Sequence, residues 1–321
     1  MSPETNALQL TGAQQSKRVR ERLYRWLLLL CAAVSIVVTV SIVFALAFDA
    51  VLFFELVSPR EFFTTTSWVP PRDEFGAVPI IFGTLAVTAI SALVAIPTGV
   101  LAAAYLSEYA STRTRAYLKP GLEILAGIPT VVYGYLALVY LTPFLRQVTG
   151  LGLGTFNILS ASLMVGILII PIVSSLSEDA MSAVPDELRQ AGYGLGATKF
   201  DVTTGVVIPA AASGIFASFI LALSRAIGET MVVAMAMGLR PRMPAVKEGL
   251  FGIPYLAPIE TVGSSGQTMT SAMVQAVTTD VSAASPTYKS MFALGLTLFA
   301  ITFAMNYASN RLSKRYREEY Q

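Results

Sequence analysis

Long apolar stretches separated by short polar segments dominate the chain. Roughly 20 apolar residues in a helix cross the hydrocarbon core of a bilayer, which is about 30 Å thick. Five stretches without a charged residue reach this length: 26–48, 78–106, 124–145, 156–176 and 290–310. A sixth stretch, 206–239, contains two charges, Arg225 and Glu229. The pattern predicts an all-α polytopic membrane protein with six transmembrane helices.

The composition narrows the classes of function. Charged residues make up 13% of the chain, against about 25% in soluble domains. The 0 His and 1 Cys exclude His-dependent catalysis, His-ligated metal sites and an intrachain disulfide. A net charge of +2 does not favour nucleic-acid binding. No G-x-x-x-x-G-K-[ST] phosphate loop occurs, so we expect no ATP hydrolysis by this chain itself. Together with the lack of His, this leads us to expect neither enzyme activity nor a bound cofactor in the chain.

The distribution of Lys and Arg predicts the orientation in the bilayer. Twice as many lie in the N-terminal flank, the second and fourth loops and the C-terminal tail as in the first, third and fifth loops. Cytoplasmic segments are enriched in these residues, so we expect both termini in the cytoplasm. The predicted division is as follows: 1–22, a disordered cytoplasmic tail; 23–52, the first helix; 53–77, an external loop; 78–310, five further helices; 311–321, a cytoplasmic tail.

Two external loops carry local signals of structure. Loop 53–77 contains Ser58-Pro59 and Pro70-Pro71, which predict an ordered loop rather than a tight turn. The long loop 240–289 includes 267–280, whose apolar residues fall on one helical face. This segment is predicted to be a short interfacial or re-entrant helix.

The fourth loop, 183–205, has the clearest local pattern. Pro185-Asp186-Glu187 is a favourable helix start, since Pro is tolerated in the first turn and acids suit its dipole. Leu188, Ala191 and Leu195 would form an apolar face, which three glycines interrupt before a second turn near Thr198. The pattern predicts a helix, a Gly turn and a second helix along the membrane surface. Such a segment could dock a partner protein or serve as a simple amphipathic connector.

The spacing of residues in this loop resembles a known motif. Gln190-Ala191-Gly192, three residues, Gly196, nine residues and then 206–209 follow the E-A-A-x(3)-G-x(9)-I-x-L-P loop of ABC importer permeases. The departures include Gln190, where the motif has Glu, and Gly192, where it has Ala. The resemblance implies that Glu187, Gln190, Ala191, Gly192 and Gly196 belong to a coupling helix for a cytoplasmic ATPase.

Two further segments resemble phosphate-specific permeases: Glu123 to Gly134 (EILAGIPTVVYG) and Arg225 to Met231 (RAIGETM). A third segment, Phe62 to Leu85, resembles the first external loop of the PstC-type subunit. The resemblance implies the type I, MetI-like transmembrane domain and import of inorganic phosphate across a prokaryotic inner membrane. It also implies three partners: a second permease subunit of the PstA type, a homodimeric ATPase that uses ATP and Mg, and an external phosphate-binding protein.

Arg225 and Glu229 are the candidate substrate-pathway residues that physical chemistry indicates independently. A charge at the centre of a membrane helix costs at least about 2.5 kcal/mol, so such charges usually serve function. On one continuous helix they would lie one turn apart on one face. Arg225 would offer a planar donor fork to an oxyanion, and Glu229 would orient it or accept a proton. The alternative is a structural ion pair between packed helices.

Thr130 and Tyr133 complete the candidate pathway. Pro129 is predicted to kink the third helix, and the two hydroxyl groups that follow could donate to phosphate. The alternative for this Gly- and Pro-containing segment is close helix packing.

Two classes of function remain open. The first is an ABC permease for phosphate or for another oxyanion such as sulfate or molybdate. The second is a stand-alone secondary transporter that moves an anion with a proton through the Arg225–Glu229 pair.

Overall fold

Five helices are long and apolar enough to cross a membrane in the computed structural model, which describes residues 3–248, 254–279, 281–282 and 284–318. They are Arg20–Phe54, Val78–Tyr109, Thr130–Thr149, Ile158–Ser182 and Pro286–Ser309. A sixth span is possible if the bent pair Lys199–Ala210 and Ala212–Ile227 is taken as one. These spans agree with the all-α architecture predicted from the apolar stretches.

The first helix, α1, runs Pro3–Phe54. Residues 3–22 are therefore helical, in contrast to the disordered tail predicted from their polarity. Helical propensity explains part of this, since the segment has no Pro after Pro3 and one Gly. From residue 20 to 42 the side chains of α1 are exposed, whereas Ala50 and Phe53 near its end are buried.

The segment after α1 is ordered, as its prolines predict. It contains α2 (Pro59–Thr64) and the antiparallel pair β1 (Trp68–Val69) and β2 (Glu74–Phe75). Asp73 adopts φ 57° in the turn between the strands. Edge-to-face aromatic contacts join this hairpin and α2 to the end of α1, and such contacts stabilise beyond area burial.

The centre of the bundle is the pair α3 (Val78–Ala104) and α7 (Ile158–Ser182). A π-helical turn, Tyr105–Tyr109, continues α3. Small residues bring the two backbones together: the Ser91 hydroxyl donates to the Ser162 carbonyl at 2.8 Å. Most of α7 is buried, because its neighbours cover it on several sides. This is the close packing that small residues allow in membranes.

The third predicted span, 124–145, is not one helix. α4 (Thr112–Gly127) ends before Pro129, and the crossing segment begins with α5 (Thr130–Leu136). A π-helical turn, Ala137–Leu141, joins α5 to α6 (Thr142–Thr149). Pro129 disfavours helical backbone at the preceding residue, and Ile128 is extended. Pro129 thus separates two helices instead of kinking one.

The region 183–239 is divided still further. Its helices are α8 (Asp186–Gly194), α9 (Lys199–Val202), α10 (Ile208–Ala210), α11 (Ala212–Ile227) and α12 (Met231–Ala236). The chain bends by 69° between α10 and α11, and a second interruption separates α11 from α12. The predicted continuous span 206–239 is therefore bent once and broken once.

The last region returns to the bundle before its final helix. β3 (Val246–Glu248) pairs with β4 (Pro254–Leu256), followed by α13 (Pro258–Gly263), α14 (Met269–Thr278) and α15 (Pro286–Glu318). The backbone N–H of Met269 donates to Oγ1 of Thr84 in α3 at 2.9 Å. The predicted short helix in this loop is confirmed as α14, although Asp280 lies outside the described residues.

Candidate functional sites

Arg225 and Glu229 lie on the two sides of the interruption between α11 and α12. Arg225 is in the last turn of α11, and Glu229 precedes α12. Arg225 Nη1 is 3.3 Å from Glu229 Oε2. The pair thus joins two helix ends across a gap, whereas the sequence predicted that both residues share one helical face. A cation near a helix C-terminus and an anion near an N-terminus both match the helix dipole.

The two side chains differ in burial and in hydrogen bonding. The Arg225 side chain is 44% exposed and that of Glu229 is 2% exposed. Glu229 Oε1 accepts from the Val232 N–H at 3.3 Å, while Oε2 is buried and has no hydrogen-bond partner among the described residues. Buried polar atoms are rarely left this way, and such cases need an explanation. The site has unused acceptor capacity on Glu229 and an accessible guanidinium beside it.

A threonine from α14 reaches the same interruption. The Thr270 hydroxyl donates to the backbone carbonyl of Glu229 at 2.8 Å. Thr270 is buried in the first turn of α14, so α14 holds the unwound backbone of the broken span. Sequence reasoning missed this residue, because nothing local links it to a position 41 residues away.

The structure gives Thr130 and Tyr133 different surroundings. Thr130 is half-buried at the first position of α5. Tyr133 is buried, and its hydroxyl donates to the Leu125 carbonyl at 2.7 Å, across the Pro129 break. This bond satisfies a terminal carbonyl of α4. Tyr133 therefore has a structural hydrogen bond in place of the free donor that the sequence analysis expected.

The two interrupted segments pack against each other through a glycine. α5 contacts α12, and a Cβ added to Gly134 would lie 3.0 Å from Met235 Cβ and 3.2 Å from the Met231 carbonyl oxygen. A larger residue would therefore crowd Met235 and the backbone of α12. Gly134 thus keeps the segment after Pro129 next to the segment after Glu229.

A second buried carboxylate, Glu178, was not singled out from the sequence. Its side chain is 1% exposed and binds Arg115 and Lys119 of α4, with a Lys119 Nζ to Oε2 distance of 2.7 Å. The Ser182 hydroxyl also donates to it at 3.1 Å. Hydrogen bonds to Asp179 and Glu178 raise the pKa of Lys119 above its ordinary value. This network ties α4 to the end of α7.

Arg189 fixes α8 to the rest of the chain. Its guanidinium lies 3.0 Å from the carboxylate of Glu108, in the π-helical turn after α3, and donates to the Met181 carbonyl at 2.8 Å. It also bonds the Val184 carbonyl and Asp186. The hydrogen bond to Glu108 raises the pKa of Arg189. One planar side chain therefore joins α8 to the ends of both central helices.

The predicted coupling residues occupy an exposed surface with one exception. Glu187, Gln190 and Ala191 are exposed on α8. Leu195 is 90% exposed and Phe200 is 66% exposed, so the loop presents apolar side chains, which are typical of a protein interaction site. Gly192 faces inward, since a Cβ there would lie 2.9 Å from Val202 Cγ2.

The turn after α8 depends on Gly196. It adopts φ +82°, and the Ala197 N–H donates to the Gly192 carbonyl at 3.2 Å, as in a Schellman helix end. Thr198 and Asp201 then cap α9 reciprocally. The bond from Thr198 lowers the pKa of Asp201 below its ordinary value. The predicted order of helix, Gly turn and helix is confirmed.

Long apolar helices packed around α3 and α7, with two of the predicted spans interrupted, define a polytopic membrane protein. The chain belongs to the family described as binding-protein-dependent transport system inner membrane component, whose model matches residues 95–318. It is a multi-pass inner-membrane protein and an ABC importer permease subunit of the PstC type, which confirms the resemblance seen in its motifs.

Two similar proteins illustrate this relationship. The chain is 32% identical over 310 residues to the probable ABC transporter permease protein YqgH of Bacillus subtilis, covering 95% of each chain. It is 34% identical over 261 residues to the phosphate transport system permease protein PstC of Mesorhizobium japonicum, covering 75% of this chain and 74% of the other.

Solved structures support the fold. A bacterial alginate ABC transporter in complex with an alginate pentasaccharide-bound periplasmic protein matches with a TM-score of 0.60 at 15% identity, over 90% of this chain and 94% of that one. An inward facing conformation of the MetNI methionine ABC transporter matches with a TM-score of 0.53 at 19% identity, over 74% of this chain and 95% of that one. The predicted MetI-like transmembrane domain is confirmed.

Proposed function

We propose that this chain is the transmembrane permease subunit of an ATP-driven importer of inorganic phosphate. It forms the translocation path with a second permease subunit of the PstA type and receives phosphate from an external binding protein. Both of its termini lie in the cytoplasm. The similarity to phosphate transport permeases supports the substrate, and the chemistry at the broken span supports an anion.

The observation that carries this proposal is the incomplete bonding of the Arg225–Glu229 pair. Arg225 is accessible and makes one contact of 3.3 Å with Glu229, so most of its five N–H donors are available to a phosphate oxygen. Glu229 Oε2 accepts no hydrogen bond among the described residues and can accept the O–H of hydrogenphosphate. A broken helix at such a site is a recurrent arrangement in transporters.

Energy enters from another polypeptide in this proposal. A homodimeric cytoplasmic ATPase binds ATP and Mg and docks on the exposed surface of loop 183–205. Its movement reaches the bundle through Arg189, which bonds the ends of both α3 and α7. ATP shifts the permease between two states only if it binds them with different affinity. The chain itself binds no cofactor.

The test is uptake of radiolabelled phosphate into proteoliposomes that contain the complete importer. We expect uptake to require ATP on the cytoplasmic side and to be inhibited by excess arsenate more than by sulfate or molybdate. Stronger competition by sulfate or molybdate would assign the permease to another oxyanion. Uptake by this chain alone, driven by a pH gradient, would show a secondary transporter and refute the ABC mechanism.

A further inference from the structure

A cavity of about 1090 Å³ lies at the face of the bundle opposite to loop 183–205. Its walls are the loop between α6 and α7, the segment after α12, and parts of α13 and α14. The α6–α7 loop and the 183–205 loop are separated by one membrane-crossing helix, α7, so they lie on opposite faces. Its volume is slightly above the usual range for small-molecule sites, which is about 300–1,000 Å³.

Two arginines give the cavity a positive wall. Arg240 and Arg242 both line it and are exposed. In the part of the chain that the structure describes, neither guanidinium has a hydrogen-bond or ion-pair partner. Among the described lining residues, Glu260 is the one carboxylate. Two unpaired arginines in a concave wall create a field that attracts anions.

The rest of the wall offers a fixed donor and a rigid support. Gln275 lines the cavity, and its Oε1 accepts from the buried Gln267 Nε2 at 2.7 Å. The amide NH₂ of Gln275 is thereby left as a donor. Arg146 of α6 donates to the Leu153 carbonyl at 2.8 Å, which holds the opposite wall in place.

The position of the cavity connects it to the broken span. Ala234 of α12 forms part of its lining, and α12 begins two residues after Glu229. The six residues of α12 correspond to about 9 Å of helix rise. The two unpaired arginines and the Arg225–Glu229 pair thus lie towards opposite ends of one short helix.

We infer that this cavity is an outer vestibule that binds a tetrahedral oxyanion, inorganic phosphate, through Arg240 and Arg242 before it reaches Arg225. This inference rests on the proposed function. Arginine matches such anions because its planar fork donates two parallel bonds to adjacent oxygens. The exposed arginines bind the anion weakly and in a salt-dependent way, so the anion is retained near the path without being trapped.

Direct binding separates the vestibule from the inner site. Equilibrium dialysis of radiolabelled phosphate against the purified full chain is carried out in an Arg225→Ala background, which removes the inner donor. We expect phosphate binding to persist in Arg225→Ala and to fall about tenfold or more when Arg240→Gln and Arg242→Gln are added. Arg60→Gln with Arg72→Gln is the matched control, because these exposed arginines lie on the same face outside the cavity.

Uptake by the complete importer gives the second measurement. The Arg240→Gln/Arg242→Gln variant should take up phosphate about tenfold more slowly at low substrate and low salt, and approach wild type at saturating substrate. Unchanged dialysis and uptake would overturn the inference and leave the proposed function intact. The inference would also be overturned if the Arg240→Gln/Arg242→Gln variant binds phosphate normally but no longer docks the external binding protein. The two arginines would then belong to a protein–protein interface.

A different pattern would identify failure of the proposed function. If the wild-type importer takes up no phosphate while dialysis still shows binding that depends on Arg240 and Arg242, the vestibule stands as an oxyanion site and phosphate import is refuted. If dialysis shows no phosphate binding and the importer takes up no phosphate, both proposals are overturned.

Discussion

The carboxylates of Glu178 and Glu229 are almost equally buried but very differently bonded. Glu178 accepts from Arg115, Lys119 and Ser182 and ties α4 to α7. Glu229 has one distant ion pair and one backbone N–H, and its Oε2 accepts no hydrogen bond among the described residues. Both carboxylate oxygens of Glu178 accept hydrogen bonds from the chain, whereas Glu229 has an oxygen that can still accept one.

This difference separates structural charges from available ones. A buried carboxylate that is fully bonded holds its neighbours together, and removing it leaves their charges unpaired. A buried carboxylate that is incompletely bonded is costly unless a ligand or ordered water completes it. Burial alone would have assigned both residues the same role. From the bonding we propose an architectural role for Glu178 and a transport role for Glu229.

The largest expected effect is the loss of transport in Arg225→Ala. Arg225 is the proposed donor to phosphate, and a hydrogen bond between charged groups contributes roughly 1.5–3 kcal/mol, so losing its bonds should lower phosphate uptake by about 100-fold or more. Thermal stability and assembly should stay near wild type, because Arg225 is exposed and makes one contact. Arg225→Lys, which keeps the charge but not the fork, should retain partial uptake. Loss of assembly in Arg225→Ala would instead indicate a structural pair.

Glu178→Ala should have the converse effect. We expect the free energy of unfolding to fall by about 2 kcal/mol, since Arg115 and Lys119 are partly hydrated and recover some of the loss. Thermal unfolding of the purified chain measures this change. Uptake per folded complex should remain close to wild type. A strong transport defect without destabilisation would break the proposed distinction between the two carboxylates.

Arg189→Gln tests a fully hydrogen-bonded side chain that is proposed to transmit movement of the ATPase to the helix bundle. The variant loses the ion pair to Glu108 and most of the bonds to the end of α7, so α8 is less firmly attached. We expect the ratio of phosphate transported to ATP hydrolysed to fall about tenfold, since a partly buried charged bond contributes roughly 1.5–3 kcal/mol. Arg189→Lys should be intermediate. An unchanged ratio would contradict transmission through Arg189.

Gly196→Val should weaken docking of the ATPase subunit by a smaller amount. A side chain at φ +82° costs roughly 1–2 kcal/mol, and β-branching adds to this. Retention of the ATPase on the immobilised permease measures the effect. Gly194→Ala is the matched control, because its backbone is helical and a Cβ there meets no atom within 4 Å. Equal retention of both variants would contradict a role for the turn.

The smallest expected effect concerns the Thr198–Asp201 cap of α9. Because the pKa of Asp201 is lowered in the folded chain, its carboxylate stabilises the cap above about pH 4. That contribution is lost as pH falls through the folded pKa. Amide hydrogen exchange in α9 should therefore become faster, relative to intrinsic rates, below about pH 4 in the wild type. In Asp201→Asn this additional change should be absent.

Several features were predicted correctly from local signals in the sequence. Hydrophobic length predicts spans because each needs its own run of apolar residues. The structure of loop 183–205 was predictable because its helix start, its glycine turn and its second cap each depend on adjacent residues. Arg225 and Glu229 were found because charges are rare in apolar stretches.

The sequence by itself therefore determined the class of fold, the helix–turn–helix structure of loop 183–205 and the presence of two unusual charges. The tertiary structure alone decided that the third and fifth spans are interrupted, and that Tyr133 is engaged by Leu125. It also decided that Glu178 is saturated by α4, Glu229 is held by Thr270, and Arg240 and Arg242 share a cavity. The physical reason is distance along the chain, because these contacts join residues that only helix packing brings together. The hydropathy pattern does not indicate which helices pack against each other.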